Sequence, residues 1–186
     1  MTGPPISIRA ARAAEAEALS ALALRSKAHW GYDAAFLEAC RVELTVRPES
    51  IEQDVVVVLE SAGRARGFYT LRPGSVVPEG SDGRTECDPG DGLRERAERD
   101  LPVGPDKGAE LELFYVDPDS IGAGFGRLLW RHMVVSARAR GYKRVYIHSD
   151  PHAEGFYLAM GARRVGVVAS GSIDGRPLPL MCLDIE

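Results

Sequence analysis

The stretch Val116-Asp117-Pro118-Asp119-Ser120-Ile121-Gly122-Ala123-Gly124-Phe125-Gly126-Arg127 constrains this chain most. An apolar, strand-like run, Leu111 to Val116, leads into it, and an amphipathic, helix-like run, Leu128 to Arg140, leads out. Between them glycines stand at alternate positions, 122, 124 and 126. Glycine lets the backbone turn sharply there and approach a ligand with no Cβ in the way. A helix starting after the turn points its first free N–H groups, and the positive end of its dipole, back at it. That is an anion site, and phosphate is its usual occupant. A plain strand-to-helix turn asks for the same glycines, so the cluster alone leaves both readings open. A dinucleotide fingerprint fits poorly. Its last glycine would fall at Arg127 counted from Gly122, or at Leu129 counted from Gly124. Asp150 does stand near the end of the next strand, where a ribose-binding acid belongs, so spacing keeps a nucleotide-dependent oxidoreductase open.

The neighbouring residues discriminate. Val116-Asp117-Pro118 precedes Gly124-Phe125-Gly126, and Asp150-Pro151-His152-Ala153-Glu154-Gly155-Phe156-Tyr157 precedes Met160-Gly161-Ala162. Together they resemble the GNAT superfamily of acyl-CoA-dependent N-acetyltransferases. In that family the turn reads Gln/Arg-x-x-Gly-x-Gly/Ala; Gly124 and Gly126 match, while Ile121 stands where Gln or Arg is usual. That departure removes a side-chain contact and leaves a cradle of backbone N–H groups intact. Asp150 takes the place of the family's Asn. The resemblance covers most of the chain and is most specific from Glu110 to Gly161.

What the resemblance implies is concrete. The fold is α/β, one mixed, twisted sheet flanked by helices on both faces, with splayed central parallel strands. Acetyl-CoA is the co-substrate and no metal is called for. Its site residues are Ile121, Gly122, Ala123, Gly124, Phe125, Gly126, Arg127 and Asp150, with the pantetheine amides pairing with the strand around Phe114, Tyr115 and Val116. The tyrosine matching Tyr157 protonates the departing thiolate in many members; the alternative is a ring packed on the fifth strand. A glutamate on the central strand serves as general base in some members, and Glu110 takes that place. Alternation puts Glu110, Glu112 and Phe114 on one face of that strand and Leu111, Leu113 and Tyr115 on the other. Buried acids are costly unless paired or used. Glu110 and Glu112 therefore remain two candidates for the base, with pairing to Arg as the structural alternative. The acceptor is a small-molecule or peptide amine. A silent acyl-CoA-binding protein on the same fold is the reading from another class.

In chain order, Ile6 to Arg9 reads as a strand and Ala11 to Lys27 as an alanine-rich helix. Asp33 is suited to cap a second helix whose Phe36, Leu37, Cys40 and Leu44 share a face. Trp30 and Tyr32 lie where the two helices join. Trp30 is expected in the core, and Tyr32 either there or on an acceptor pocket; the resemblance makes both acceptor-site candidates. Val55 to Glu60 and Arg66 to Arg72 form a hairpin. From Pro73 to Gly108 prolines and glycines interrupt all regular structure except a short charged helix at Leu93 to Asp100. Residues 73–108 look like an insertion in a single acetyltransferase domain, 1–186, whose acetyl-CoA-binding core is 109–161. His132 is expected to be packed, and Gly141 to end its helix. Val165 to Ser170 and Leu178 to Ile185 form a hairpin turned at Asp174-Gly175. Arg176 beside that turn either holds an anionic group of the acceptor or caps the loop. Open edges at this hairpin are compatible with a homodimer.

The length of 186 residues suits one domain. A net charge of −4 argues against nucleic acid as the main partner. Cys40, Cys87 and Cys182 are odd in number and scattered, which suits a reducing cytoplasm and no zinc or redox motif. Met1-Thr2-Gly3-Pro4-Pro5 has no basic region followed by an apolar core, and the β-branched run Val55 to Val58 is far too short to span a bilayer, so neither a signal peptide nor a membrane segment is expected.

Overall fold

The computed structural model describes residues 5–74 and 108–186. Most of the 73–108 insertion, with Cys87 and the expected Leu93–Asp100 helix, lies outside the described residues. The elements run β1 (Ile6–Ala10), α1 (Ala16–Ala28), α2 (Ala34–Ala39), α3 (Pro48–Gln53), β2 (Val55–Ser61), β3 (Arg64–Pro73), β4 (Gly108–Val116), α4 (Phe125–Ala139), β5 (Arg144–His148), α5 (Glu154–Ala159), β6 (Arg163–Ala169) and β7 (Pro177–Asp184).

The strands form one sheet in the order β1-β2-β3-β4-β5-β7-β6. Only β4 and β5 run parallel; the other pairs are antiparallel. The sheet carries one core on each face. One gathers Leu111, Leu129, Met133, Val145, Ile147 and Tyr157 under α4 and α5. The other gathers Leu19, Leu22, Cys40, Leu44, Phe68 and Leu113 under α1 and α2.

Local chemistry places these elements. Asp33 caps α2 by accepting the Phe36 N–H at 2.8 Å, a contact of the kind worth about 1 kcal/mol. The β2–β3 turn carries Ala62 and Gly63 at positive φ. The Ala11–Lys27 helix starts late: residues Ala13–Glu15 form a 3₁₀ turn first, pinned where Glu15 accepts the Arg12 N–H at 2.8 Å. The helix expected from Leu128 begins three residues sooner, at Phe125. Of the face expected from the helical period, Leu128, Leu129, His132, Met133, Ser136 and Ala137, the structure buries Leu129, Met133, Ser136 and Ala137 and half-buries Leu128 and His132, and Trp130 joins the buried set. His132 packs as expected, its Nδ1 lying 2.9 Å from the Tyr69 hydroxyl.

Two features of β4 shape the site. Thr70 of β3 pairs with Leu113 and Leu71 with Leu111, so Glu112 is an extra, bulged residue. The bulge breaks the expected alternation. Leu111 packs in the core under α4 and Leu113 in the core under α1, while Phe114 and Val116 pack against the first and Tyr115 against the second. The parallel pairing is also short: Gly108, Ala109 and Glu110 pair with Arg144, Val145 and Tyr146, and there the ladder stops. Beyond it β4 and β5 part, and a gap opens in the middle of the sheet. At the far end β7 is internal, so β6 alone of the C-terminal hairpin is an edge.

Candidate active site

The gap between β4 and β5 opens into a cleft of about 880 Å³, within the ordinary range for ligand sites. One end is the glycine turn. After β4, Asp117 accepts the Asp119 N–H at 3.2 Å and starts a 3₁₀ turn at Pro118–Ser120. Gly122 and Gly124 then take φ of +84° and +85°, a region other residues rarely enter. A Cβ at either would meet no protein atom within 4 Å, so both face open space. Gly124 caps α4, and the first helical hydrogen bond runs from Leu128 N–H to the Gly124 carbonyl at 3.2 Å. The amides of Phe125, Gly126 and Arg127 precede that bond and point out of the helix end. No acidic residue sits in the first turn of α4. Ala123 is spent within the turn, its N–H donating to Ser120 O at 3.2 Å. Gly126 is close-packed instead: a Cβ there would lie 3.4 Å from the Phe156 ring.

Along the cleft wall run Phe114, Tyr115 and Val116, which pair with β3 on one side and leave their other edge, towards β5, facing the gap. Tyr157 of α5 lies against them, 5% exposed and ringed by Phe114, Trp130 and Phe156. Burial, with a smaller push from the Asp150 carboxylate, raises its hydroxyl well above the usual tyrosine range. Tyr157 therefore stays protonated at neutral pH.

The other end of the cleft is built of side chains. Glu112, on the bulge, accepts from Arg72 Nη1 at 2.6 Å. Burial raises its carboxyl and outweighs the lowering by Arg72. Glu110 lies 3.6 Å from His148 Nδ1 on β5. Thr70 is 2% exposed and lines the cleft, and its hydroxyl alone among the described buried side-chain polar atoms lacks a hydrogen-bond partner. Such an orphan fits a ligand group, since burying an unpaired hydroxyl is costly.

Asp150 is a hub. Its carboxylate accepts from Lys27 Nζ at 2.7 Å, from the Tyr32 hydroxyl at 3.0 Å, from Arg176 Nη2 at 3.3 Å and from the His152 N–H at 3.0 Å. Burial opposes its ionisation, but the Lys27 hydrogen bond and charge, the His152 amide and Tyr32 hold the carboxyl below the usual range. Burial and the same carboxylate push the Tyr32 hydroxyl up to about 12. Tyr32 belongs to this cluster rather than to the cleft wall. Trp30 departs from expectation. It is 42% exposed, on the rim of the cleft, and stacks on His152 at 5.2 Å because the break after α1 turns it outward.

A family model described as the acetyltransferase (GNAT) family matches residues 36–162. The chain belongs to the GNAT acetyltransferase family. Solved structures agree at the level of the fold. A GCN5-related N-acetyltransferase from Rhodopseudomonas palustris is similar over 99% of this chain and 98% of its own, at 17% identity and a TM-score of 0.67. The PaiA N-acetyltransferase from Thermoplasma acidophilum, in complex with coenzyme A, is similar over 97% and 99%, at 16% identity and a TM-score of 0.63. The structure of yncA from Salmonella typhimurium with acetyl-CoA is similar over 98% and 95%, at 17% identity and a TM-score of 0.59. No curated protein matches the sequence.

Sequence reading of this GNAT chain missed several cleft residues. Lys27 gave no signal beyond a place in a helix's last turn. Arg72 and Thr70 looked like ordinary strand residues. His148 could have been found, because alternation with Val145 and Ile147 turns it to the face of Glu110. Among the described residues no helix is long and apolar enough to cross a membrane, and no cluster of His, Cys, Asp and Glu could hold a metal.

Proposed function

We propose that this protein transfers an acetyl group from acetyl-CoA to a primary amine by direct attack. The observation that carries the reading is the conjunction of a glycine-capped helix start with a gap between parallel strands, Tyr157 facing the same space. Coenzyme A complexes of two fold neighbours support it. The residues present fit such a ligand: the amides of Phe125, Gly126 and Arg127 and the open faces of Gly122 and Gly124 suit a pyrophosphate. The unpaired edge of Phe114, Tyr115 and Val116 suits the amides of a pantetheine arm. Ile121 and Arg127 flank the turn, while Ala123 contributes shape rather than an amide.

When bound, acetyl-CoA supplies an activated acyl carbonyl and a thiolate leaving group. Glu112 or Glu110 takes a proton from the incoming ammonium, directly or through water. The deprotonated amine would then displace the thiolate directly at the acyl carbon. A backbone N–H of β4 would stabilise the negative charge developing on the carbonyl oxygen. Tyr157 gives its hydroxyl proton to the sulfur, and the second proton shed by nitrogen would pass through water to restore Tyr157. Trp30 and Arg176 border the acceptor, Tyr32 holding Arg176 in place. Cys40 and Cys182 are buried and have no part in the transfer. The whole 1–186 chain acts as one acetyltransferase domain in this reading.

The test is thiol release from acetyl-CoA across a panel of amines, with the acetylated product identified by mass. Amine-dependent release with one acetyl added supports the reading. Tight coenzyme A binding with no product from any amine would instead mark a silent acyl-CoA-binding protein.

A further inference from the structure

The charges left over in the cleft speak to the acceptor's chemistry, an inference that rests on the amine-acetylating reading above. Lys27 and Arg176 both line the cleft, and their side chains are only 8% and 17% exposed. Among the described residues Asp150 is the one carboxylate within ion-pair distance of either, at 2.7 and 3.3 Å. Two cations thus share one anion. A net positive charge in a poorly hydrated place is costly until a counter-ion arrives.

Their donors are not used up. Arg176 spends Nη2 on the Tyr32 hydroxyl, at 2.6 Å, and on Asp150. Its Nη1 and Nε have no hydrogen-bond partner among the described residues. Lys27 spends its ammonium on Asp150 alone. The guanidinium is also pre-oriented, stacked 5.1 Å from the Tyr32 ring and 4.7 Å from the Phe36 ring. A guanidinium fork held this way is matched to a planar anion.

The opposite charge sits nearby. Glu110 and Glu112 face the same cleft from β4. Glu110 contacts His148, and Asp150 follows His148 by two positions at the end of β5. Two residues of extended chain span roughly 7 Å. An acidic pole that attracts an ammonium and a basic pole that lacks an anion therefore line the same cleft.

We propose that Lys27 and Arg176 bind a carboxylate carried by the acceptor amine, which makes free amino acids and related short amino-carboxylates the substrate class. One negative charge balances the cluster. A phosphate or phosphonate dianion would overshoot it beside Asp150. In this assignment Asp150 is a positioning residue, fixing both cations without touching the substrate.

The test titrates the full chain, saturated with coenzyme A, with the standard amino acids and with their carboxamides, by calorimetry. Each carboxamide keeps the amine and loses the carboxylate charge. At least one amino acid is expected to bind, and its carboxamide to bind at least ~10-fold more weakly, the loss of one charge-assisted hydrogen bond. Arg176→Gln is expected to bring the acid down to the carboxamide's level with coenzyme A affinity unchanged, and Arg176→Lys to recover part of the difference. If Arg176→Gln loses cooperative unfolding, the acid-to-carboxamide ratio of the unmodified protein decides. Carboxamides binding as well as acids, or no amino acid binding, overturns the proposal, as does a preference for 2-aminoethylphosphonate. Acid binding without acetylated product keeps the carboxylate site and removes the acetyltransfer reading. Acetylation of plain alkylamines without preference for acids does the reverse.

Discussion

At one end of the cleft the free polar groups are backbone amides of consecutive residues, Phe125, Gly126 and Arg127, behind the open faces of Gly122 and Gly124. At the other they are side chains of Lys27, Arg72, Glu110, Glu112 and Arg176, drawn from α1, β3, β4 and the loop before β7. Arg176 and its partner Tyr32 are 144 residues apart in sequence. The first end depends on conformation: a helix start and glycines at positive φ make a site with almost any flanking side chains. The second depends on tertiary packing, because each charge is held by a partner from another element. Ile121 in place of a polar residue is tolerable at the first end. A single altered charge at the second changes what the cleft accepts.

The largest expected effect on the side-chain end comes from Asp150→Ala. It leaves Lys27 and Arg176 buried with no carboxylate, a class of change costing about 3–5 kcal/mol. Urea unfolding measures it, and a loss below ~1 kcal/mol would mean the cluster is better hydrated than its burial indicates. The pH dependence has a defined sign. Asp150 is held below its unfolded range, so its contribution is present above about pH 4 and lost as pH falls through the folded value. Asp150→Asn should flatten that acid limb.

Next is Tyr157→Phe, which belongs to the chemistry between the two ends. The ring still packs among Phe114, Trp130 and Phe156, so stability and coenzyme A affinity should change little. The maximal rate should fall by about 10²-fold, the lower end for general-acid help, since a thiolate leaves readily. The loss should shrink with an acyl donor of more acidic thiol. A full rate in the folded variant would assign the proton to water or to the ammonium.

Smaller effects are expected away from both ends. Trp30→Ala removes an exposed ring stacked on His152 and should cost no more than about 1 kcal/mol, read by thermal unfolding. His132 is the smallest. Burial, then the Arg140 charge, lowers its pKa, so the folded protein resists its protonation. Its contribution is present above the unfolded value near ~6.5 and is lost as pH falls below it. His132→Gln should remove that mild dependence near pH 6 while leaving turnover alone.

The same division explains what could be read from the sequence. The glycine turn, its strand and its helix were legible because conformation is local: three glycines, an apolar run and a 3.6-residue period lie within about thirty residues. Asp33 as a cap and Asp174-Gly175 as a turn were legible for the same reason. The helix boundary moves from Leu128 to Phe125 because Gly126, grouped by its spacing with the glycines of the turn, sits in the first helical turn, where little side-chain volume fits beside Phe156. The bulge at Glu112 left no mark, since it is a mismatch between two strands rather than a property of either. The Lys27–Asp150–Arg176 cluster was equally hidden. Asp150 was read as a cofactor contact, and the structure shows its carboxylate engaged by the protein's own cations.

The central claim is that these two ends are separable, and one titration tests it directly: coenzyme A into Gly124→Val and into Arg176→Gln, each checked for cooperative unfolding. Gly124→Val forces a β-branched residue to a φ of +85°, a strain of about 1–3 kcal/mol at the cradle itself. The account predicts at least a ~10-fold loss of coenzyme A affinity there and an unchanged affinity in Arg176→Gln. Unchanged affinity in a folded Gly124→Val, or an equal loss in both variants, would contradict it.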